Sequence, residues 1–140
     1  MRQRTSYAHC PPALEVARIS AHSAQLTFVE NAVQVSAPDG AAAWEADVYT
    51  LVVPWQDDLY DMVESRYGGW LDHAKDKAYE HAAAEIRERR DALLLNCDWT
   101  QAQDVPITND ARNAWREYRQ ALRDIPEQPG FPWDVTWPEV

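Results

Sequence analysis

His73 and His81 stand eight residues apart in one helical pattern, with Asp72, Asp76 and Glu80 beside them. Imidazole and carboxylate are ordinary ligands for a transition metal. Helical His ligands usually recur at i and i+4, with an acidic group orienting each ring. A separation of eight is two turns, about 12 Å along the axis, too far for both rings to reach one ion. Cys10 and Cys97 are the only cysteines. Neither sits in a CxxC or CxxH spacing, so both read as free thiols. No Ser lies in G-x-S-x-G, and no phosphate-binding G-x-x-x-x-G-K-[ST] or G-x-G-x-x-G occurs in a chain with four Gly. Carboxylates are plentiful, but nothing in the sequence forces one into an apolar setting where it would turn into an acid or base. These residues predict no enzyme, no metal and no cofactor.

The remaining chemistry is recognition. Seven Trp in 140 residues is a high content. Indole rings give large contact area at small entropic cost, so they serve a core or a partner surface equally well. Acidic residues outnumber basic ones 23 to 13, for a net charge of −10. That opposes nucleic-acid binding, which needs Lys and Arg to displace phosphate counterions. It also opposes docking on an anionic membrane. It permits a basic protein partner, or simply a soluble chain kept apart from its copies. No apolar run reaches the ~20 residues of a bilayer span and no signal sequence opens the chain, so the expected setting is cytoplasm.

The length fits a single domain or one with an appendage, large enough to fold without a metal or disulfide. Residues Met1 to Pro12 show no periodicity and read as an arm. Leu14, Val16 and Ile19 suggest a first strand. Leu26 and Phe28, then Val33 and Val35, alternate with polar residues around Glu30-Asn31. That pattern predicts a hairpin turning at Asn31, since Asn tolerates positive φ. Pro38-Asp39-Gly40 predicts a turn. Val48 to Val53 reads as a strand covered on both faces and stopped by Pro54. Together Ala13 to Pro54 predicts a small antiparallel sheet.

Helices must cover it. Asp57 and Asp58 can cap a short helix to about Arg66, with Leu59, Met62 and Val63 on one side and Gly68-Gly69 as its break. A long helix is expected from Trp70 to Leu95, with an inner stripe of Leu71, Ala74, Ala78, Ala82, Ile86 and Leu93. Glu85 and Arg89 form an i,i+4 pair, and Asp72, Asp76, Lys77, Glu80, Arg87 and Arg90 read as a solvated face. A loop over 96–107 leads to Thr108 as N-cap of a helix over 109–124. Its seam is Ala111, Trp115, Tyr118, Leu122 and Ile125, too short for a coiled coil and suited to docking on the long helix.

Beyond Pro126 the period becomes two. Phe131, Trp133, Val135 and Trp137 alternate with Pro132, Asp134, Thr136 and Pro138. Pro cannot donate to a ladder, so this predicts an edge-like extended segment. Its aromatic side either folds back on the helices or meets a partner by strand addition or groove binding. The fold class is therefore α+β. A small antiparallel N-terminal sheet (domain 1–56) precedes a module (57–140) with one long helix, a short amphipathic helix and an extended aromatic C-terminal segment.

The order of motifs from Leu93-Leu94 onward is specific. Asp98-Trp99-Thr100-Gln101 precedes Val105-Pro106-Ile107-Thr108. Then come Trp115-Arg116-Glu117-Tyr118-Arg119-Gln120-Ala121-Leu122-Arg123-Asp124-Ile125, Gln128-Pro129-Gly130-Phe131-Pro132 and Val135-Thr136-Trp137-Pro138. Over about residues 91–138 this resembles the C-terminal module of bacteriophage tail assembly chaperones and tail-fibre assembly proteins. Glu139 stands where that family often has a basic residue. The resemblance implies a non-catalytic protein that binds a phage tail-fibre or tail-tip protein, typically trimeric, and assists its folding or assembly in the host cytoplasm. A virion protein that stays on the tail is the alternative it leaves. The acidic charge alone suggests a third class, an inhibitor of a host defence protein. Under the resemblance, Trp99, Trp115, Tyr118, Phe131, Trp133 and Trp137 form the module's aromatic core and part of its partner surface.

Overall fold

The computed structural model describes residues 2–37 and 40–139. Its elements are strands β1 (Arg2–Tyr7), β2 (Leu14–Arg18), β3 (Ser23–Ser36) and β4 (Ala42–Pro54), and helices α1 (Leu59–Ser65), α2 (Tyr67–Asn96) and α3 (Asn109–Arg123). Two short 3-10 turns, Asp98–Gln101 and Ile125–Glu127, flank α3. The strands form one antiparallel sheet in the order β1-β4-β3-β2, and the fold is α+β as expected. The chain divides into two compact units, Met1–Glu80 and His81–Val140.

In the first unit Leu14, Ala24, Leu26, Phe28 and Tyr49 of the sheet are buried against Leu59 and Val63 of α1 and Leu71, Ala74 and Ala78 of α2. Phe28 is fully buried, with Tyr67 edge-on to its ring at 5.7 Å. On the other sheet face Val29, Ala46 and Val48 form a smaller cluster under Tyr7.

Four sequence expectations are corrected here. The N-terminal arm is an edge strand from Arg2 to Tyr7, paired with β4. Its side chains are polar on both faces, so hydropathy does not reveal it. Backbone pairing holds it, with Arg2–Asp47 at 3.4 Å and Arg4–Glu45 at 3.0 Å. The hairpin turn expected at Asn31 is instead a bulge inside β3. Between the pairs Glu30↔Asp47 and Val33↔Glu45, β3 carries one residue more than β4. Asn31 adopts φ 52°, the left-handed conformation that motivated the turn, and donates to Asp47 Oδ2 at 2.9 Å. The true hairpin joins β3 to β4 through Ala37 and Gly40 (φ 82°); Pro38 and Asp39 of the expected turn lie outside the described residues.

The strand around Val48 runs longer, Ala42–Pro54, and is covered on both faces only from Ala46 to Tyr49; Val52 is 66% exposed. Gly68 and Gly69 do not end α1. The break falls at Arg66, and both Gly lie in the first turn of α2. Each helical Gly costs about 1 kcal/mol, which a packed helix tolerates. Asp58 stands at the N-cap of α1 without a side-chain cap bond.

Candidate partner-binding site

The second unit is built around the turn that ends α2. Cys97 is buried, and Thr100 is fully buried one turn on. The Thr100 hydroxyl donates to the Cys97 carbonyl at 2.7 Å and accepts from Gln101 Nε2 at 2.7 Å. These bonds fix the Asp98–Gln101 turn and point Trp99 outward, where it is 53% exposed.

Two arginines of α3, seven residues apart and therefore on one face, hold this turn and the loop after it. The buried Arg119 donates to the Leu94 carbonyl at 2.8 Å and Cys97 Sγ at 3.0 Å, and pairs with Asp98 at 2.7 Å. Burial pulls its pKa down, but Cys97 and Asp98 more than offset that, so the guanidinium stays charged. Arg112 donates to the carbonyls of Thr100 (3.3 Å), Ala102 (2.9 Å) and Val105 (3.3 Å). Thr108 caps α3 as expected, accepting from the Ala111 amide at 3.2 Å.

The α3 seam is buried or half-buried at all five expected positions. Trp115 packs edge-on to Trp99 at 6.1 Å and to Tyr118 at 5.7 Å, making a three-ring row that ends at the exposed Trp99.

The chain beyond Ile125 departs from simple alternation. It turns repeatedly through Trp133 and is irregular only after that. Pro132 is buried and Trp133 is 43% exposed, the reverse of the expected sides. The cause is the Gln128-Pro129-Gly130-Phe131-Pro132 run. Phe131 N bonds to the Gln128 carbonyl at 3.0 Å, and the amides of Trp133 and Asp134 both bond to the Gly130 carbonyl at 2.8 Å. The Phe131–Pro132 peptide is cis. A side chain at Gly130 would overlap the carbonyl oxygen of Asp134, so only Gly fits this close approach. The Gln128 amide closes the segment, donating to the Thr136 carbonyl at 2.9 Å and accepting from its amide at 2.7 Å.

Two more arginines receive the aromatic rings of this segment. Arg87 lies over Phe131 at 5.3 Å and Arg89 over Trp137 at 4.1 Å. Arg89 therefore does not serve Glu85, which pairs with His81 at 3.4 Å, and Arg87 is not part of a merely solvated face. The buried α2 position in this stretch is Ala83 rather than Ala82, which is half-buried. Sequence reasoning singled out the aromatics and missed the arginines under them. Arg112 and Arg119, at one-face spacing beside an apolar seam, were the available signal.

Residues 83–140 match the family model described as phage tail assembly chaperone protein. The match extends the resemblance seen from residue 91 back along α2, so it takes in Arg87 and Arg89 with all six aromatic candidates. The sheet and the first half of α2 lie outside the matched residues. No curated protein and no solved structure matches the chain. Among the described residues, no helix is long and apolar enough to cross a membrane.

Proposed function

We propose that this chain is a phage tail-assembly protein that binds a tail-fibre or tail-tip protein in the host cytoplasm and assists its folding or assembly without catalysis. The observation that carries the reading is the exposure of Trp99 and Trp133 on a module that already holds Trp115, Tyr118, Phe131 and Trp137 half-buried. Large exposed aromatics on a hydrogen-bonded frame are what recognition of an apolar client surface requires. The role of the chaperone-family module points to the client class. In this reading Trp99 and Trp133 make contact, and the other four rings support them.

Co-expression with the tail-fibre gene of the same phage tests this. Fibre that is soluble and co-purifies with the chain supports it, and fibre equally soluble without the chain contradicts it. Mass spectrometry of purified virions then separates the two fates: absence from virions marks a released chaperone, and presence marks a protein retained on the tail.

A further inference from the structure

The first unit contains a cavity of about 330 Å³ lined by Pro12, Ala13, Leu14, Tyr60, Glu64 and Tyr67. It lies outside the chaperone-family module, and none of the six aromatic candidates contributes to it. Tyr60, Glu64 and Tyr67 follow at i, i+4 and i+7, one stripe that continues across the α1–α2 break. The Tyr67 wall is fixed at both ends. Its hydroxyl donates to the Ala13 carbonyl at 3.2 Å, and its ring packs edge-on to the buried Phe28. The Tyr60 hydroxyl lies 3.5 Å from Glu64 Oε1.

We infer that this cavity takes a lysine or arginine side chain of a protein partner. Its volume is at the small end of ligand clefts, suited to one long side chain rather than a segment of chain. Its walls are apolar with two phenol rings, which favour an aliphatic stem and a cation over a π face. Among the described residues that line it, Glu64 is the one charged at neutral pH, and it is an anion. The net charge of −10 draws a basic partner toward it. An anionic or neutral polar ligand would meet no donor side chain other than the two phenol hydroxyls. This inference stands apart from the tail-assembly reading, because the cavity belongs to the other unit and its test uses no tail protein.

The test is a titration of the full-length chain, followed by NMR of the tyrosine rings and Leu14 methyls. The probes are blocked Ala-Arg-Ala and Ala-Lys-Ala peptides, with a blocked Ala-norleucine-Ala peptide as the neutral control. A single exposed contact of this kind binds in the millimolar range, so peptide is carried to about 10 mM. The cationic peptides are expected to shift Tyr60, Tyr67 and Leu14. Added salt should weaken them, and Glu64→Gln should weaken them about three- to fivefold. Glu64 is exposed, so the variant keeps the wild-type backbone spectrum. Equal binding of the norleucine peptide, no response to either cation, or an unchanged affinity in Glu64→Gln would each overturn the inference. Shifts of the same residues on dilution without peptide would assign the cavity to a second copy of the chain and overturn it as well.

Discussion

Arg119 Nη2 stands 2.7 Å from Asp98 Oδ1, joining the middle of α3 to the turn that closes α2. The two partners are not equal. Arg119 is buried and has two further acceptors, whereas the Asp98 side chain is 57% exposed. Replacing Asp98 with Ala should therefore cost less than about 1 kcal/mol, as for a surface pair. Replacing Arg119 with Ala removes the shortest, charged donor to the Leu94 carbonyl, leaving it only the longer bonds from Cys97 N (3.3 Å) and Cys97 Sγ (3.2 Å), and should cost about 1.5–3 kcal/mol. Amide exchange at Cys97 and Thr100 reads the difference. Equal losses in the two variants would show that the ion pair, not the carbonyl clamp, holds the turn.

Gly130 is required for close approach rather than for a left-handed backbone. Gly130→Ala should force Asp134 away and release the Gln128–Thr136 clip, raising amide exchange at Thr136 by at least tenfold. Gln128→Ala removes the acceptor of the Thr136 amide directly, so it should raise exchange there at least as much while costing only about 1 kcal/mol of stability. If Gly130→Ala leaves Thr136 protected, the contact with Asp134 does not constrain the segment.

Asp47 links the first unit to pH. The hydrogen bond from Asn31 lowers its pKa, burial opposes this, and Arg2 adds to the lowering. A depressed folded value means the contribution is complete above the ordinary carboxylate range and is lost as pH falls through the folded value. The sheet should thus lose stability progressively below about pH 4. Asp47→Asn should be about 1–2 kcal/mol less stable at neutral pH and show a shallower acid dependence. Urea unfolding followed by tyrosine and tryptophan fluorescence at several pH values measures both. Parallel pH profiles for the two proteins would exclude Asp47 as the linked group.

The sequence made legible what periodicity controls. The α3 seam, its Thr108 cap and the long Ala-striped α2 were readable because burial on a helix follows a fixed spacing. β1 was hidden because Arg2, Arg4 and Ser6 oppose Gln3 and Thr5, and Tyr7 alone supplies an apolar surface, which makes no alternation. β3 was split in two because Asn31 suits a bulge as well as a turn, and only the pairing with Asp47 decides between them. In the candidate site the rings were visible as residue types. Of their supports, Arg87 reads in the sequence as solvent-facing charge and Arg89 as the partner of Glu85, while Arg112 and Arg119 show only their one-face spacing until the fold brings them against carbonyls.

The exposed indoles carry the central claim. Trp99→Ala and Trp133→Ala remove partly exposed rings, so the double variant should stay folded by circular dichroism while losing about 1 kcal/mol with the Trp99–Trp115 contact.

The most direct measurement is the affinity of the full-length chain for the co-encoded tail-fibre protein, wild type against the Trp99→Ala/Trp133→Ala double variant. Loss of at least about tenfold, as for a pair of interface hot spots, is the predicted result. Wild-type affinity in a folded double variant would contradict it.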